Sequence, residues 1–391
     1  MNKRRFWSTI IFLYFSGFLT GVVFVTPPAS SPVLTSPLFQ NLSATLYGSL
    51  FIPMIVGTIL TSFFGGKLAV KIGLKAVYLS GISTMCFSMI LFAVSGFFMG
   101  DPVQDYLSLL TMMFFLGAGF GATITSLNAM ILHFFPNRLA TAISALHALL
   151  GLGTAAAPLL FNAFHLYSKW WKDPVLLAIC LFMTALVMSK LLEEDTKAKK
   201  SLPSTHLGYP KKLLLLLGFM FVYGIAETLM GNWGMIYLQK DHHLTVTIAS
   251  YSLSVFWGMV TVGRILTALL TIKIDPKKIY LFLPLLMILG YFLVPFSSTA
   301  CFSIITFGLV GLACSGCFPL SFNFGELAYP EVASIASGRL MTAYMLGYGV
   351  AAYGVGLTIK VIPLGTLFHL AFLIPCLLFL LALLSTLTKK T

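Results

Sequence analysis

Charge is what this chain has least of. Only 9% of its 391 residues are charged, and just 11 are acidic, where an ordinary soluble protein carries about 25% charge. Such a chain cannot cover its surface with polar groups, which excludes a soluble enzyme or binding domain. A Gly-rich run followed by Lys-Ser or Lys-Thr is also missing. Gly117, Gly119 and Gly121, like Gly347 and Gly349, sit inside apolar stretches with no strand before them, so they read as close helix packing rather than phosphate loops. Direct drive by ATP is therefore not expected, nor is any cofactor. No catalytic or metal-binding constellation is visible, and the chain does not read as an enzyme. His242 and His243, beside Asp241 in a loop, lack the further ligands a metal would need. The six cysteines lie in or at the edge of apolar segments, where cysteine acts as a small hydrophobe; Cys314 and Cys317 have redox-motif spacing without a thioredoxin-like context.

What is present is apolar length. The chain is 58% hydrophobic with a mean hydropathy of +0.96, and a membrane-spanning helix needs about 20 apolar residues. Hydropathy and turn signals predict twelve spans, near 6–26, 46–64, 76–98, 106–134, 140–164 and 175–192, then 213–237, 248–271, 279–295, 300–327, 338–360 and 364–387. The expected organisation is an N-terminal six-helix bundle over 1–192, a polar linker over 193–211 and a C-terminal six-helix bundle over 212–391. Lys3, Arg4 and Arg5 before the first apolar run resemble a signal peptide, but the run is too long for a signal core and reads as an uncleaved span. The net charge of +13 is an orientation signal, not a nucleic-acid footprint. Of the 24 lysines and arginines only Lys169, Lys172, Lys240 and Lys360 fall on one side of the predicted topology. The other side is cytoplasmic by the positive-inside rule. Both termini are thus expected in the cytoplasm, and the compactness suggests a cell inner membrane.

The two halves repeat. Ser126-Leu127-Asn128, Phe135-Pro136 and Gly151-Leu152-Gly153 recur as Ser321-Phe322-Asn323, Tyr329-Pro330 and Gly347-Tyr348-Gly349, at offsets of 195, 194 and 196. Several matches in order at nearly constant offset indicate duplication of a six-span unit. The stretch from Gly66 through Lys67, Lys71 and Gly73 to Lys75 resembles the loop between spans two and three of the major facilitator superfamily. Val70 stands where that family usually has Asp. Val262-Gly263-Arg264-Ile265 is similar to the second-half copy. Two further passages resemble the fucose-permease-like branch of sugar symporters. One runs from Tyr223 through Glu227, Gly231, Asn232 and Trp233 to Tyr237; the other takes in Asn128, His147, Gly151 and Pro158. The resemblance implies an all-α membrane fold of two pseudo-symmetric six-helix bundles around a central cavity, and secondary transport by alternating access. Members of that branch commonly carry a coupling carboxylate in span one or four. Those spans offer only Tyr14, Ser16, Thr20, Thr123, Thr125 and Asn128.

That leaves Glu227, the one carboxylate well inside a predicted span, about 22 Å from its cytoplasmic end at 1.5 Å per residue. A carboxylate among hydrocarbon tails costs about 2.5–3.5 kcal/mol on insertion scales. It reads either as a proton-coupling and hydroxyl-binding group or as an interhelical lock, with Tyr223 on its face at i−4. Trp233 either stacks on a sugar ring or belongs to the interfacial aromatic belt, and Asn232 beside it has no clear facing. His147 near mid-depth lines a cavity or is a satisfied core residue. Asn128 has the same two readings, and Tyr344 and Tyr348, one turn apart on span eleven, either touch substrate or pack. Glu326 could pair with Arg339 or Arg264 as an inner gate, or simply mark a helix end. The two arginines are expected close to the cytoplasmic ends, leaving no cation at mid-membrane.

The resulting expectation is proton-coupled import of a small, neutral, sugar-like solute, with sodium as the alternative ion. The bilayer and the solute are the partners, nucleic acid is not, and a monomer is expected. The rival readings are a proton-coupled efflux antiporter for drugs or metabolites and a non-transporting receptor or scaffold. The Arg-containing span-four motif of drug antiporters is absent, and Ala157-Pro158 replaces their Gly-Pro pair in span five.

Overall fold

The computed structural model describes residues 3–98, 101–135, 138–165, 169–192, 208, 210–329 and 332–388. Most of the predicted linker, and Pro136 and Pro330 of the repeat, lie outside the described residues. Twelve helices among them are long and apolar enough to cross a membrane: Lys3–Leu34, Ala44–Gly65, Leu74–Phe98, Pro102–Phe134, Thr141–His165, Lys172–Leu191, Lys211–Lys240, Val246–Leu270, Pro276–Phe296, Ala300–Ala328, Ile335–Thr358 and Leu364–Leu387. They are spans one to twelve below. The largest boundary difference is in span one, which runs straight through Pro27 and Pro28 where a stop is predicted. Proline removes a backbone donor and favours a break, but residues 25–34 are all buried and packing holds the helix together.

Helix starts are capped by the residue types that do this well. Asp101, before Pro102, accepts from the Val103 and Gln104 amides at 3.0 and 3.2 Å, and Asp275, before Pro276, accepts from the Lys277 amide at 2.9 Å. Between spans two and three Gly73 has φ 93°, a backbone that glycine adopts without strain. The second glycine of the family-like loop is there for that turn.

The chain divides into two compact units, Met1–Ser201 and Leu202–Thr391. Within the first, span one packs on five, two on four, and three on four and six. Within the second, seven packs on eleven, eight on ten, and nine on ten and twelve. The same pairing in both units is the duplication made visible. Its anchors are glycines that let backbones touch. A Cβ on Gly21 would lie 1.9 Å from the Leu150 carbonyl oxygen, and one on Gly153 would lie 2.0 Å from that of Phe18. The counterparts are Gly224 against the Tyr344 oxygen at 2.3 Å and Gly347 against that of Phe221 at 1.9 Å. Gly117 and Gly119 likewise press on Met54 and Met85. All six cysteines are free.

Candidate functional site

The second unit gathers the polar groups expected on spans seven and eleven into one nest. Glu227 is 4% exposed. Its Oε1 accepts from the Tyr223 hydroxyl at 2.7 Å, and its Oε2 from the Tyr344 hydroxyl at 2.5 Å. The two tyrosine rings stack with centroids 5.9 Å apart, and Phe318 of span ten sets its edge on Tyr344 at 5.3 Å. Gly224 makes this possible, because it brings span seven against the backbone of Tyr344 itself.

Two helix irregularities meet at this carboxylate. Span seven changes from α to π winding over Leu229–Trp233. A π turn inserts one residue, so a side chain five positions on returns to the starting face, where α winding would return the fourth. Asn232 is five positions after Glu227. The extra residue aims its amide at span eleven, where Nδ2 donates to the Tyr348 hydroxyl at 3.0 Å and that hydroxyl lies 3.2 Å from Oδ1. Glu227 and Asn232 thus face Tyr344 and Tyr348 rung by rung. Gly231 makes room for the indole of Trp257, whose ring a Cβ there would approach to 2.9 Å. The second irregularity is in span ten, where the helix ending at Cys314 restarts at Cys317. Carbonyls at a helix end need outside donors, and the Tyr223 hydroxyl, besides serving Glu227, lies 3.1 Å from the Cys314 oxygen. Nearby, the Tyr291 hydroxyl donates to the Ala226 carbonyl.

Trp233 is fully buried, so it is not part of a lipid-facing aromatic belt. Tyr344 and Tyr348 hydrogen-bond to acid and amide as well as packing. Arg264 corrects the depth expectation. Its neighbour Gly263 packs on Ser315, so the Arg264 backbone stands level with the break in span ten rather than at the helix end. Its buried Nε has no hydrogen-bond partner among the described residues. The expected Glu326 pair with an arginine is not the bond present. Glu326, which is exposed, accepts from the Ser337 hydroxyl at 2.7 Å, and Arg339 donates to the Gly208 carbonyl at 2.8 Å. His147 and Asn128 belong to the first unit and are half-buried there, on spans five and four. The Asn128 Oδ1 is buried without a partner among the described residues.

The residues that sequence reasoning passed over are Trp257, Phe318, Tyr291 and the Cys314 carbonyl. Trp257 carried a usable signal: it lies 11 residues into span eight, about 16 Å deep, where an interfacial tryptophan has no place. A backbone carbonyl and a π turn leave no mark in residue types.

A carboxylate held by hydroxyls at mid-helix, beside a π turn and a broken helix, in a duplicated six-span scaffold, defines a multi-pass membrane protein of the secondary-transporter type. The chain belongs to the Major Facilitator Superfamily, whose sequence model matches residues 6–352. It is 23% identical over 368 residues to the glucose/mannose transporter GlcP of Bacillus subtilis, covering 88% of each chain. Among solved structures, it resembles the nucleoside transporter NupG with a TM-score of 0.80 at 13% identity, over 96% of this chain and 99% of that one. A POT family transporter in complex with 5-aminolevulinic acid gives 0.75 at 13% identity, over 96% and 95%. These structural likenesses show the fold.

Proposed function

We propose that the protein imports a small, neutral, polyhydroxylated solute of the sugar type by alternating access, with a proton carried on Glu227. The observation that carries this reading is how the carboxylate is satisfied: by two phenol hydroxyls, one on each oxygen. A polyol presents the same kind of donor, so its hydroxyls can take the places of Tyr223 and Tyr344 without leaving a buried acceptor unpaired, which would cost about 1–3 kcal/mol. Asn232 and Tyr348 offer a donor and acceptor pair one rung away, and Trp257 an aromatic face. A pair of helix irregularities beside an intramembrane acid is where transporters place their binding sites. The name of the GlcP relative points to the same solute class. In this reading both termini are cytoplasmic, the membrane is a cell inner membrane, and Glu326 and Arg339 belong to an inner gate, with Arg264 standing deeper, nearer the acid.

The test is a thermal-shift screen of purified protein against sugars, polyols, nucleosides, amino acids and lipophilic cations, repeated on Glu227→Gln. A ligand that binds only the folded state raises apparent stability by mass action. Stabilisation by a sugar or polyol that weakens in the variant supports the reading. Stabilisation by lipophilic cations alone would replace it with efflux.

A further inference from the structure

Away from this nest, the first unit carries a groove of about 780 Å³ between spans three and six, lined almost wholly by carbon. On span three its lining runs from Cys86 through Ile90, Ala93, Val94 and Gly96 to Phe97. At and on span six it runs from Trp170 and Trp171 through Val175, Ala178 and Ile179 to Phe182. Most of each set shares one face of its helix, each includes a small side chain, Ala93 or Ala178, and the Cys86 thiol donates to the Ala178 carbonyl at 3.3 Å. The groove therefore runs between two helices that are tied to each other at Cys86.

Its length, chemistry and mouth specify one occupant. Eleven residues of helix rise about 16 Å, and one leaflet of a hydrocarbon core about 30 Å thick is about 15 Å deep. One end lies at mid-span and the other at Trp171, which is 45% exposed and stands at the start of span six, where an amphipathic ring marks the membrane interface. The Lys172 ammonium lies over the Trp171 ring, 5.8 Å from its centroid, and Lys169 is exposed three residues earlier. Asp173, beside them in sequence, is 1% exposed and cannot screen a group arriving at the surface. We propose that this groove holds one acyl chain of an anionic glycerophospholipid, its methyl end by Cys86 and Phe182 and its phosphate against Lys172 and Lys169. The lysines supply the charge complementarity, and the alanine floor supplies the depth.

Tryptophan fluorescence tests it on the full-length protein in detergent, titrated with phosphatidylglycerol or phosphatidylcholine brominated on the acyl chain. Bromine quenches only indoles it touches. The phosphatidylglycerol is expected to quench at about 25-fold lower concentration, about fivefold for each of the two lysines, and Trp171→Phe is expected to lose most of the quenched signal, the remainder coming from the buried Trp170. Lys169→Gln with Lys172→Gln should bring the two lipids level. Ala178→Phe, or Ala93→Phe if the first does not fold, should block quenching while keeping the wild-type melting temperature. Equal quenching by both lipids in the wild type, or full quenching in a folded filled variant, would overturn the proposal. So would a dimer in which Trp171 is shielded from both lipids, since the groove would then belong to a second copy of the chain.

Discussion

Replacing Glu227 by glutamine separates the acid's role in coupling from its role in holding spans seven and eleven together. The geometry accommodates the amide. Its oxygen can keep the Tyr344 hydroxyl as donor, and its NH2 can point at Tyr223, which is free to turn acceptor because the Cys314 carbonyl stands 3.1 Å away to take its proton. No hydrogen bond is lost, but two charge-assisted bonds of about 1.5–3 kcal/mol become neutral ones of about 0.5–1.5 kcal/mol. Against that, the variant no longer buries a charge, whose effective penalty is several kcal/mol per ion. The two terms oppose each other, so the variant should fold with its stability changed by no more than about 2 kcal/mol. Glu227→Ala differs, because it orphans the Tyr344 hydroxyl and opens a cavity; the orphan alone costs about 1–3 kcal/mol. The assay is transport by proteoliposomes in two modes, solute counterflow without a gradient and accumulation driven by a pH gradient. Glutamine imitates the protonated acid, so counterflow should persist while gradient-driven accumulation disappears at every pH. Accumulation at the wild-type level in Glu227→Gln would refute the assignment of the proton to this residue.

Three further outcomes follow from the same structure. Gly347→Ala should destabilise by at least about 1–3 kcal/mol, because its methyl would meet the Phe221 carbonyl at 1.9 Å, whereas Gly354→Ala, with nothing within 4 Å, should melt within a few degrees of wild type; a scan of unfolding temperature checks both. Asn232→Ala should lower stability by about 1–3 kcal/mol, because it takes the amide away from the buried Tyr348 hydroxyl, and weaken solute affinity by about tenfold, with Tyr348→Phe giving a smaller effect of the same kind in a binding titration. In the loop after span seven, burial lowers the pKa of His242, whose Nε2 meets the Tyr237 hydroxyl at 2.9 Å. The unfolded chain then takes up the proton first as pH falls, so this residue's contribution to stability declines on going below about 6.5. Melting temperatures from pH 8 to 5 should fall less in His242→Gln than in wild type, while the raised pKa of Asp241, again from burial, acts in the opposite sense.

Much of the fold could be read from composition. Twelve apolar runs, a basic side and repeated Gly and Asn positions half a chain apart are properties of residue types in order, and bilayer physics converts them directly into helices and a duplication. Glu227 was legible for the same reason, as an acid in hydrocarbon needs an explanation wherever it points. The gate was less legible, because helix depth alone cannot say that Glu326 meets Ser337 or that Arg264 stands level with Cys314.

Residue types in order thus settle the number of spans, their repeat and an acid deep in span seven, since none of these needs a contact between distant helices. What that acid holds follows from packing. Its partner Tyr344 is 117 positions away, the π turn that swings Asn232 onto Tyr348 is stabilised by packing rather than by any residue's propensity, and the Cys314 carbonyl becomes available because span ten breaks there. Contacts between distant helices depend on how close two backbones come, and in this protein the glycines at 224 and 347 set that distance.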